Sequence, residues 1–196
     1  MLDQGTRNDT SWGTIAAWAW GGSRILDVLE TTFSSQVDAT KVAVIGHSRG
    51  GKTELWAAAE DERFVMAISN NSGCTGAALS KRKKNGNYGE MVGQINTVFP
   101  NWFCRNYRRY NSNEDLLLVD QHMLLALLAP HAVCVASASK DNWADPLGEY
   151  WGIRDAAPVW SLFGVDSRLP NQQPAPRVVQ CSLGGFTTTC ARVIMI

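Results

Sequence analysis

One short stretch, residues 42 to 52, constrains the fold more than any other part of the chain. Four apolar residues, Val42 to Ile45, predict a buried parallel strand, and the residues from Lys52 to Glu60 have the composition of a helix. Between them, the sequence Gly-His-Ser-Arg-Gly at 46–50 fits G-x-S-x-G, in which a serine stands on a sharp turn from strand to helix. The stretch therefore predicts an α/β fold with a nucleophile elbow after the first strand.

The residue types in this elbow are those of a serine nucleophile. Gly46 and Gly50 are expected to keep side chains out of the turn while Ser48 is held in a strained, exposed conformation. The amide of Arg49 follows at the helix N-terminus and would face the oxyanion of an attacked ester. Lys52 lies four residues after Ser48, a spacing that lets its ammonium lean toward the same mouth. We predict Ser48 as nucleophile and Arg49 as oxyanion donor.

Helix and strand signals alternate along the rest of the chain. Because helices join the strands, the strands are expected to run parallel. An aromatic stripe in the last helix, which includes Tyr150 and Trp160, is expected to belong to the core. The further predicted elements are helices over 12–31, 90–98, 115–128 and 148–163 and strands over 64–69 and 131–139, with Thr10-Ser11 capping the first helix.

Composition excludes several classes of function. A chain of 196 residues with 45% hydrophobic content forms one ordinary domain. Eighteen basic residues balance eighteen acidic ones, so neither nucleic acid nor an anionic membrane is an expected partner. The five cysteines show no C-x-x-C spacing, and we expect no metal and no cofactor. The first five residues lack a signal-peptide pattern, so the chain as expressed is expected to be cytoplasmic.

Five segments of the chain resemble the glucuronoyl esterases of carbohydrate esterase family fifteen, in their bacterial branch. They are GHSRGGK at 46–52, ISNNSGC at 68–74, FPNWF at 99–103, VDQHMLL at 119–125 and WADP at 143–146. The resemblance runs from about Trp12 to about Leu169. It implies a partial α/β-hydrolase domain over residues 1–169, with a parallel sheet flanked by helices, followed by an irregular tail over 170–196. Relatives of this family are mostly secreted or periplasmic.

The resemblance implies a carboxylic ester hydrolase that cleaves the ester between lignin alcohols and glucuronate on xylan. Many relatives carry a glutamate as triad acid where this chain has Asn71, and the bacterial branch offers a second acid position after the next strand. Asp141, the first acid after the third predicted strand, is our choice for that role. Asp145 stays open as the alternative, although it precedes Pro146 and can instead form a turn or cap a helix.

The resemblance also implies a set of residues that bind a carbohydrate ester. Relatives hold the uronate sugar with a lysine, a glutamine and a stacking tryptophan, which we place at Lys52, Gln94 and Trp143. Relatives also use the side chain of the arginine after the serine to stabilise the oxyanion, and that role falls to Arg49. An aromatic ring beside an active serine can present an apolar face to substrate, as expected of Trp143.

The general base has no matching residue. Relatives supply a histidine from beyond the last helix, and this chain has no histidine after His131. In an elbow the side chain of His47 points away from the nucleophile, and His122 precedes apolar residues 123–125 that are expected to be core, which favours a structural role. Two functions therefore stay open: an active serine esterase, or a catalytically impaired, truncated fragment that keeps a carbohydrate-binding cleft.

Two further hypotheses concern the ends of the fold. The elbow strand lies in the middle of the sheet in α/β-hydrolases, but with three predicted strands it becomes an exposed apolar edge, so we expect a homo-oligomer that pairs through this edge. After about Pro176 the chain loses its resemblance without losing length. We take as a hypothesis that this tail is a frame-shifted reading of the family's histidine segment.

Overall fold

The structure is a computed structural model that describes residues 7–82, 89–165, 169 and 179–183. Its strands are β1 (Val42–His47), β2 (Phe64–Asn70), β3 (Ala132–Ser137) and β4 (Val179–Leu183). Its α-helices are α1 (Thr14–Thr31), α2 (Arg49–Glu60), α3 (Val92–Val98), α4 (Gln121–Ala126), α5 (Pro146–Ala156) and α6 (Pro158–Ser161). Short 3₁₀ helices cover Ala39–Lys41, Arg105–Tyr110 and Glu114–Leu116.

The sheet has the strand order β1-β2-β3-β4, and its first three strands are parallel, as predicted. Ile45 of β1 is opposite Ile68 of β2, which is in turn opposite Cys134 of β3. This register aligns the carboxyl ends of the three strands at one edge of the sheet. The loops that follow these strands are therefore neighbours. They lie at the carboxyl edge of the sheet, where α/β sheets bind their ligands.

The fourth strand corrects one expectation about the tail. The segment 170–196 was expected to be irregular, yet Val179–Leu183 forms β4 and pairs antiparallel with β3. Cys181 is opposite Val135 in this register. The free side of β3 offers unpaired backbone groups, and this segment, in which apolar and polar residues alternate, satisfies them. The rest of the tail lies outside the described residues.

Strand β1 is an edge of the described sheet. Its residues alternate between half-buried and exposed, and the side chain of Ile45 is 70% exposed. The prediction of a buried elbow strand is therefore wrong, because β1 pairs only with β2 among the described strands. The exposed apolar edge that the oligomer hypothesis requires is present.

One hydrophobic cluster joins the helices to the sheet. It contains Leu26 of α1, Leu55 of α2 and Val133 of β3, all fully buried. Tyr150 and Trp160, from the predicted aromatic stripe, are 1% and 0% exposed, so the expectation of a core role is confirmed for both. The indole N–H of Trp160 is satisfied by a backbone carbonyl at 3.0 Å.

The ends of three helices differ from the sequence-based expectation. Pro158 interrupts the last predicted helix and divides it into α5 and α6, since its ring clashes with the preceding turn. Helix α4 starts only at Gln121, because the carboxylate of Asp120 caps that residue at 2.8 Å. Helix α1 is capped not by Thr10-Ser11 but by the distant loop at 101–102, whose carbonyls accept from the first two helical amides.

Candidate active site

Ser48 is the single residue between β1 and α2. Its backbone adopts φ 55° and ψ −120°, a strained region for a residue with a side chain that costs about 1–3 kcal/mol. Its amide donates to the carbonyl of Asn70 at 2.9 Å and ties the turn to the end of β2. A Cβ atom at Gly46 would lie 2.1 Å from the carbonyl oxygen of Gly50, so no side chain fits there. The predicted strand-turn-helix elbow is therefore present.

Gly50 does not have the steric role that the sequence suggested. A Cβ atom at this position would meet no atom within 4 Å, because it would project into open space. The second crowded position is Gly51, where a Cβ atom would lie 2.9 Å from the Cβ of Ser72. The elbow is thus crowded on the side of α2 that faces the loop after β2.

Arg49 begins α2, and its side chain is exposed. The first amides of a helix have no acceptor within the helix, and they carry its positive partial charge. A carbonyl attacked by Ser48 would place its oxyanion beside these amides. The geometry thus supports the predicted use of the Arg49 amide as an oxyanion donor.

The two possible acid positions, one after β2 and one after β3, lie in contact. Asn71 Nδ2 donates to Asp141 Oδ2 at 2.6 Å, and Asn71 Oδ1 accepts from the amide of Ala138 at 2.9 Å. The other carboxylate oxygen of Asp141 accepts from the amide of Ala144 at 3.2 Å. The Asn71 amide therefore fixes the position of the Asp141 carboxylate at the carboxyl edge of the sheet.

Asp145 is occupied by another task. Its carboxylate accepts from the amide of Gly148 at 3.0 Å and so caps α5, and it lies 3.4 Å from Arg82. The side chain is nearly buried, and the backbone is left-handed with φ 56°. This is the capping role that its position before Pro146 allowed, and it favours Asp141 over Asp145 as the acid.

Lys52, Glu90 and Trp143 form a cluster beside the elbow. Lys52 is 3% exposed, and its ammonium donates to Glu90 Oε2 at 2.9 Å and to the carbonyl of Ser72 at 2.5 Å. Glu90 Oε1 accepts from the indole N–H of Trp143 at 3.2 Å, while the tryptophan side chain remains 54% exposed. Glu90 therefore connects the two predicted sugar-binding residues and fixes the direction of both.

Gln94 is not part of this cluster. Its side chain is exposed, and Oε1 accepts from the amide of Met91 at 2.9 Å, which caps the start of α3. The residue that contacts Lys52 and Trp143 is Glu90, four positions earlier, which sequence reasoning missed. The sequence offered no signal for Glu90, because its contact with Lys52 follows from the burial of that lysine, which only the structure shows.

Comparison with known proteins identifies the chain's relatives. The sequence model of a family described as "Glucuronyl esterase, fungi" matches residues 6–164. The chain belongs to the glucuronoyl esterase family. A curated relative, carbohydrate esterase MZ0003 from an unknown prokaryotic organism, is 48% identical over 183 residues, which are 93% of this chain and 41% of the relative. A 4-O-methyl-glucuronoyl methylesterase of Phanerochaete chrysosporium is 35% identical over 77% of this chain and 33% of its own length.

Solved glucuronoyl esterases share the fold. The enzyme from Solibacter usitatus superposes with a TM-score of 0.81 at 44% identity and covers 94% of this chain and 46% of its own. A mutant of the Sporotrichum thermophile esterase, solved in complex with methyl 4-O-methyl-β-D-glucopyranuronate, gives a TM-score of 0.72 at 29% identity over 80% of this chain. The α/β-hydrolase fold is thereby confirmed. This chain spans less than half the length of the relatives it matches.

The resemblance extends further than the motifs suggested. The match to the prokaryotic esterase leaves about 13 residues uncovered (196 − 183), so it continues well past residue 169. This extent conflicts with the loss of resemblance that motivated the frame-shift hypothesis, while the reading frame itself stays untested. Residues 184–196, to which the frame-shift hypothesis assigned a histidine segment, lie outside the described residues.

No described histidine completes the triad. Within the described ranges, no hydrogen bond joins His47, His122 or His131 to Ser48 or Asp141. His122 is half-buried with its Nδ1 unpartnered, and its neighbour Met123 is 47% exposed rather than core, as α4 is too short to bury that face. A family-type base is therefore still missing.

Glu149 connects the loop after β2 to the end of β3. Its fully buried carboxylate accepts from Ser72 Oγ at 3.1 Å, from the amide of Gly73 at 2.8 Å and from the hydroxyl of Ser137. Burial raises the pKa of Glu149 to about 7, and the hydrogen bonds oppose this shift. The residue fastens the loop after β2 to the end of β3. Sequence reasoning missed it because it lies within the aromatic stripe of α5.

Proposed function

We propose that this chain belongs to a serine ester hydrolase that acts on glucuronoyl esters of polysaccharides. The observation that carries the proposal is the position of the Ser48 elbow beside the buried Lys52–Glu90 pair and Trp143. An elbow alone predicts an esterase of unspecified substrate. A buried cation and a nearby indole suit a sugar ring with hydroxyl groups. The names of several relatives specify 4-O-methyl-glucuronoyl esters.

The chemical steps follow the usual course of a serine esterase. Ser48 Oγ attacks the ester carbonyl, and the N-terminal amides of α2, starting at Arg49, stabilise the oxyanion. Collapse of this intermediate releases the alcohol and leaves an acyl-serine, which water then hydrolyses. The proton of Ser48 passes to a base and then to the departing alcohol, and Asp141 would orient that base.

The cluster retains capacity to bind a sugar. An ammonium group has three donors, and Lys52 uses two of them, on Glu90 and on the carbonyl of Ser72. The third can donate to a sugar oxygen, and the carboxylate of Glu90 has lone pairs left for a hydroxyl group. The exposed ring of Trp143 can stack on the sugar face. We therefore propose Lys52 and Trp143 as sugar-binding residues, with Glu90 in place of Gln94.

The test is labelling with a fluorophosphonate probe together with hydrolysis of two esters. We expect labelling of the chain and its loss in Ser48→Ala, whereas Ser34→Ala, at an exposed loop serine, should label like the parent chain. Any hydrolysis should favour a glucuronate methyl ester over a simple acetate. Labelling that persists without Ser48 would refute the nucleophile, and preference for acetate would refute the substrate class.

A second candidate function is carbohydrate binding with impaired catalysis. It is favoured by the absence of a histidine contact to Ser48 among the described residues, while the Lys52 cluster is complete. Without a base, an intact oxyanion site retains only about 10³-fold catalysis over water. Binding of methyl glucuronate without turnover would support this alternative over an active enzyme.

We also propose that the chain forms a homo-oligomer through the β1 edge. Ile45 is exposed there, and β1 has unpaired backbone groups on one side within the described sheet. Light scattering should show a dimer or larger species, and Ile45→Lys should shift it to monomer.

No helix within the described ranges is long and apolar enough to cross a membrane.

A further inference from the structure

Three exposed arginines lie together on the 3₁₀ helix Arg105–Tyr110. They are Arg105, Arg108 and Arg109, which we call the arginine patch. No carboxylate of the described residues forms an ion pair with any of the three. The chain as a whole has a net charge of zero, so the patch is a local excess of positive charge.

The geometry of a 3₁₀ helix brings two of these charges onto one side. Residues three apart eclipse each other with a rise of about 2 Å per residue, so Arg105 and Arg108 emerge about 6 Å apart on the same face. Like charges at this spacing repel, and an anion between them would offset the repulsion. Arg108 uses one Nη2 donor on the carbonyl of Pro100 at 3.0 Å, which leaves most of its donors available.

The inner side of the same helix adjoins the candidate active site. Tyr107 packs against Phe103 with ring centroids 5.1 Å apart, and both line an apolar pocket of about 290 Å³. The buried Lys52 lines the same pocket, and its Nζ lies 6.0 Å from the ring centroid of Trp102. The 3₁₀ helix that carries the arginine patch therefore also contributes Tyr107 to a pocket that Lys52 lines.

We propose that the arginine patch binds the free carboxylates of an acidic polysaccharide, on uronate sugars next to the uronate that carries the ester. The inference rests on the proposed function. The uronate that is cleaved is esterified and neutral, so it gives unpaired arginines nothing to bind, whereas neighbouring uronates carry free carboxylates. Guanidinium groups pair with carboxylates through two parallel hydrogen bonds and are less strongly hydrated than ammonium groups. The patch would hold the polymer while Lys52 and Trp143 hold the sugar that carries the ester.

The experiment compares two ligands by titration calorimetry on the full chain. The first is a xylo-oligosaccharide with free glucuronate branches, and the second is the same oligosaccharide with its carboxyl groups reduced. We expect the acidic ligand to bind at least about tenfold more tightly, and the variant with all three patch arginines changed to glutamine to lose that advantage. The control removes three exposed cations elsewhere, in the variant Arg24→Gln, Lys41→Gln and Arg154→Gln.

The control variant should bind like the parent chain, and thermal unfolding verifies that both variants are folded. Equal affinity for the two ligands, unchanged affinity in the patch variant, or no binding of the acidic ligand at millimolar concentration would each overturn the proposal. Because neither ligand contains an ester, the result does not depend on turnover. A chain that fails to hydrolyse esters but binds uronates through the patch would refute only the proposed catalysis.

Discussion

The two ends of the same parallel sheet carry charge in opposite ways. At the carboxyl ends of the strands, Lys52 and Glu90 form an ion pair whose side chains are 3% and 5% exposed. At the amino end of β2, Arg63 binds three carboxylates with its side chain 34% exposed. These carboxylates belong to Asp27, Glu30 and Asp61. Helix α2 connects the two networks, because Lys52 lies in its first turn and Asp61 and Arg63 follow its last residue.

The two networks differ in the desolvation cost of their charges. The network of Arg63 is hydrated, and its main electrostatic effect is to lower the pKa of Asp61 to about 2 through their hydrogen bond. The pair of Lys52 and Glu90 is desolvated, and a hydrophobic pair of similar volume would serve stability at least as well. Charge retained in a dry environment, at the edge where α/β sheets bind ligands, points to binding rather than to stability.

Removing Glu90 should have the largest effect. Glu90→Ala leaves the ammonium of Lys52 buried and unpaired, and we expect the free energy of unfolding to fall by about 3–5 kcal/mol. Urea denaturation measures it. The double variant Lys52→Met with Glu90→Gln should regain most of the stability but should not bind a glucuronate methyl ester. A loss below about 1 kcal/mol in Glu90→Ala would remove the contrast between the two ends.

Glu149 should make the carboxyl end of the sheet sensitive to pH. Its pKa of about 7 in the folded chain exceeds the ordinary value of 4.5, so the folded state binds the proton more tightly. Stability contributed by the neutral form is complete below about pH 4.5 and is lost as the pH rises to about 7, by about 3 kcal/mol. Unfolding measured from pH 4.5 to 8 in Glu149→Gln should lose this part of the slope; an unchanged slope would contradict the assignment.

Between the two ends, α2 contains a buried carboxyl group that neither network uses. Glu54 is 1% exposed, and neither of its oxygens makes a hydrogen bond of ordinary geometry within the described residues. Burial raises its pKa well above the ordinary value, and the nearby Ser69 hydroxyl opposes this shift. We expect Glu54→Leu to stabilise the chain by about 1–3 kcal/mol in urea denaturation. Glu60→Leu, at an exposed position of the same helix, is the matched control and should give no gain. A destabilised Glu54→Leu would indicate that the acid is required.

The smallest effect is expected at the amino end. Arg63→Gln should lower the free energy of unfolding by about 1 kcal/mol or less at low salt. An exposed ion pair is only slightly more stable than its two charges when each is hydrated separately. The effect should shrink further in 1 M salt, where the screening length is about 3 Å. Lys41→Gln, at another exposed pair 2.8 Å from Asp38, provides the control. A loss comparable to that of Glu90→Ala would mean that exposure does not separate the two networks.

Features that depend on neighbouring residues could be predicted from the sequence. The elbow around Ser48 follows from a short run of apolar residues and two glycines, because a sharp turn is a local requirement. The parallel strands followed from the helices between them. Of the site residues, Asp141 was predicted because it follows a predicted strand, where ligand-binding loops occur in this class of fold. Trp143 was predicted from the resemblance to the family.

Features that depend on distant residues were found only in the structure. Asn71 and Asp141 are 70 positions apart, and their hydrogen bond exists because β2 and β3 are adjacent in the sheet. Strand β4 has only a short apolar-polar alternation in its sequence, and its pairing with β3 was found only in the structure.

The chain by itself determined its fold class and its nucleophile elbow, because strand, turn and helix preferences act within a few residues. Five sequence motifs indicated its family through their resemblance to known members. Only the tertiary structure showed the partners of three carboxylates: Glu90 contacts Lys52, Glu149 contacts the loop after β2, and Asp145 caps a helix. The physical reason is that a buried charge must find its partner in space, and the partner's distance along the chain does not matter to the electrostatic energy.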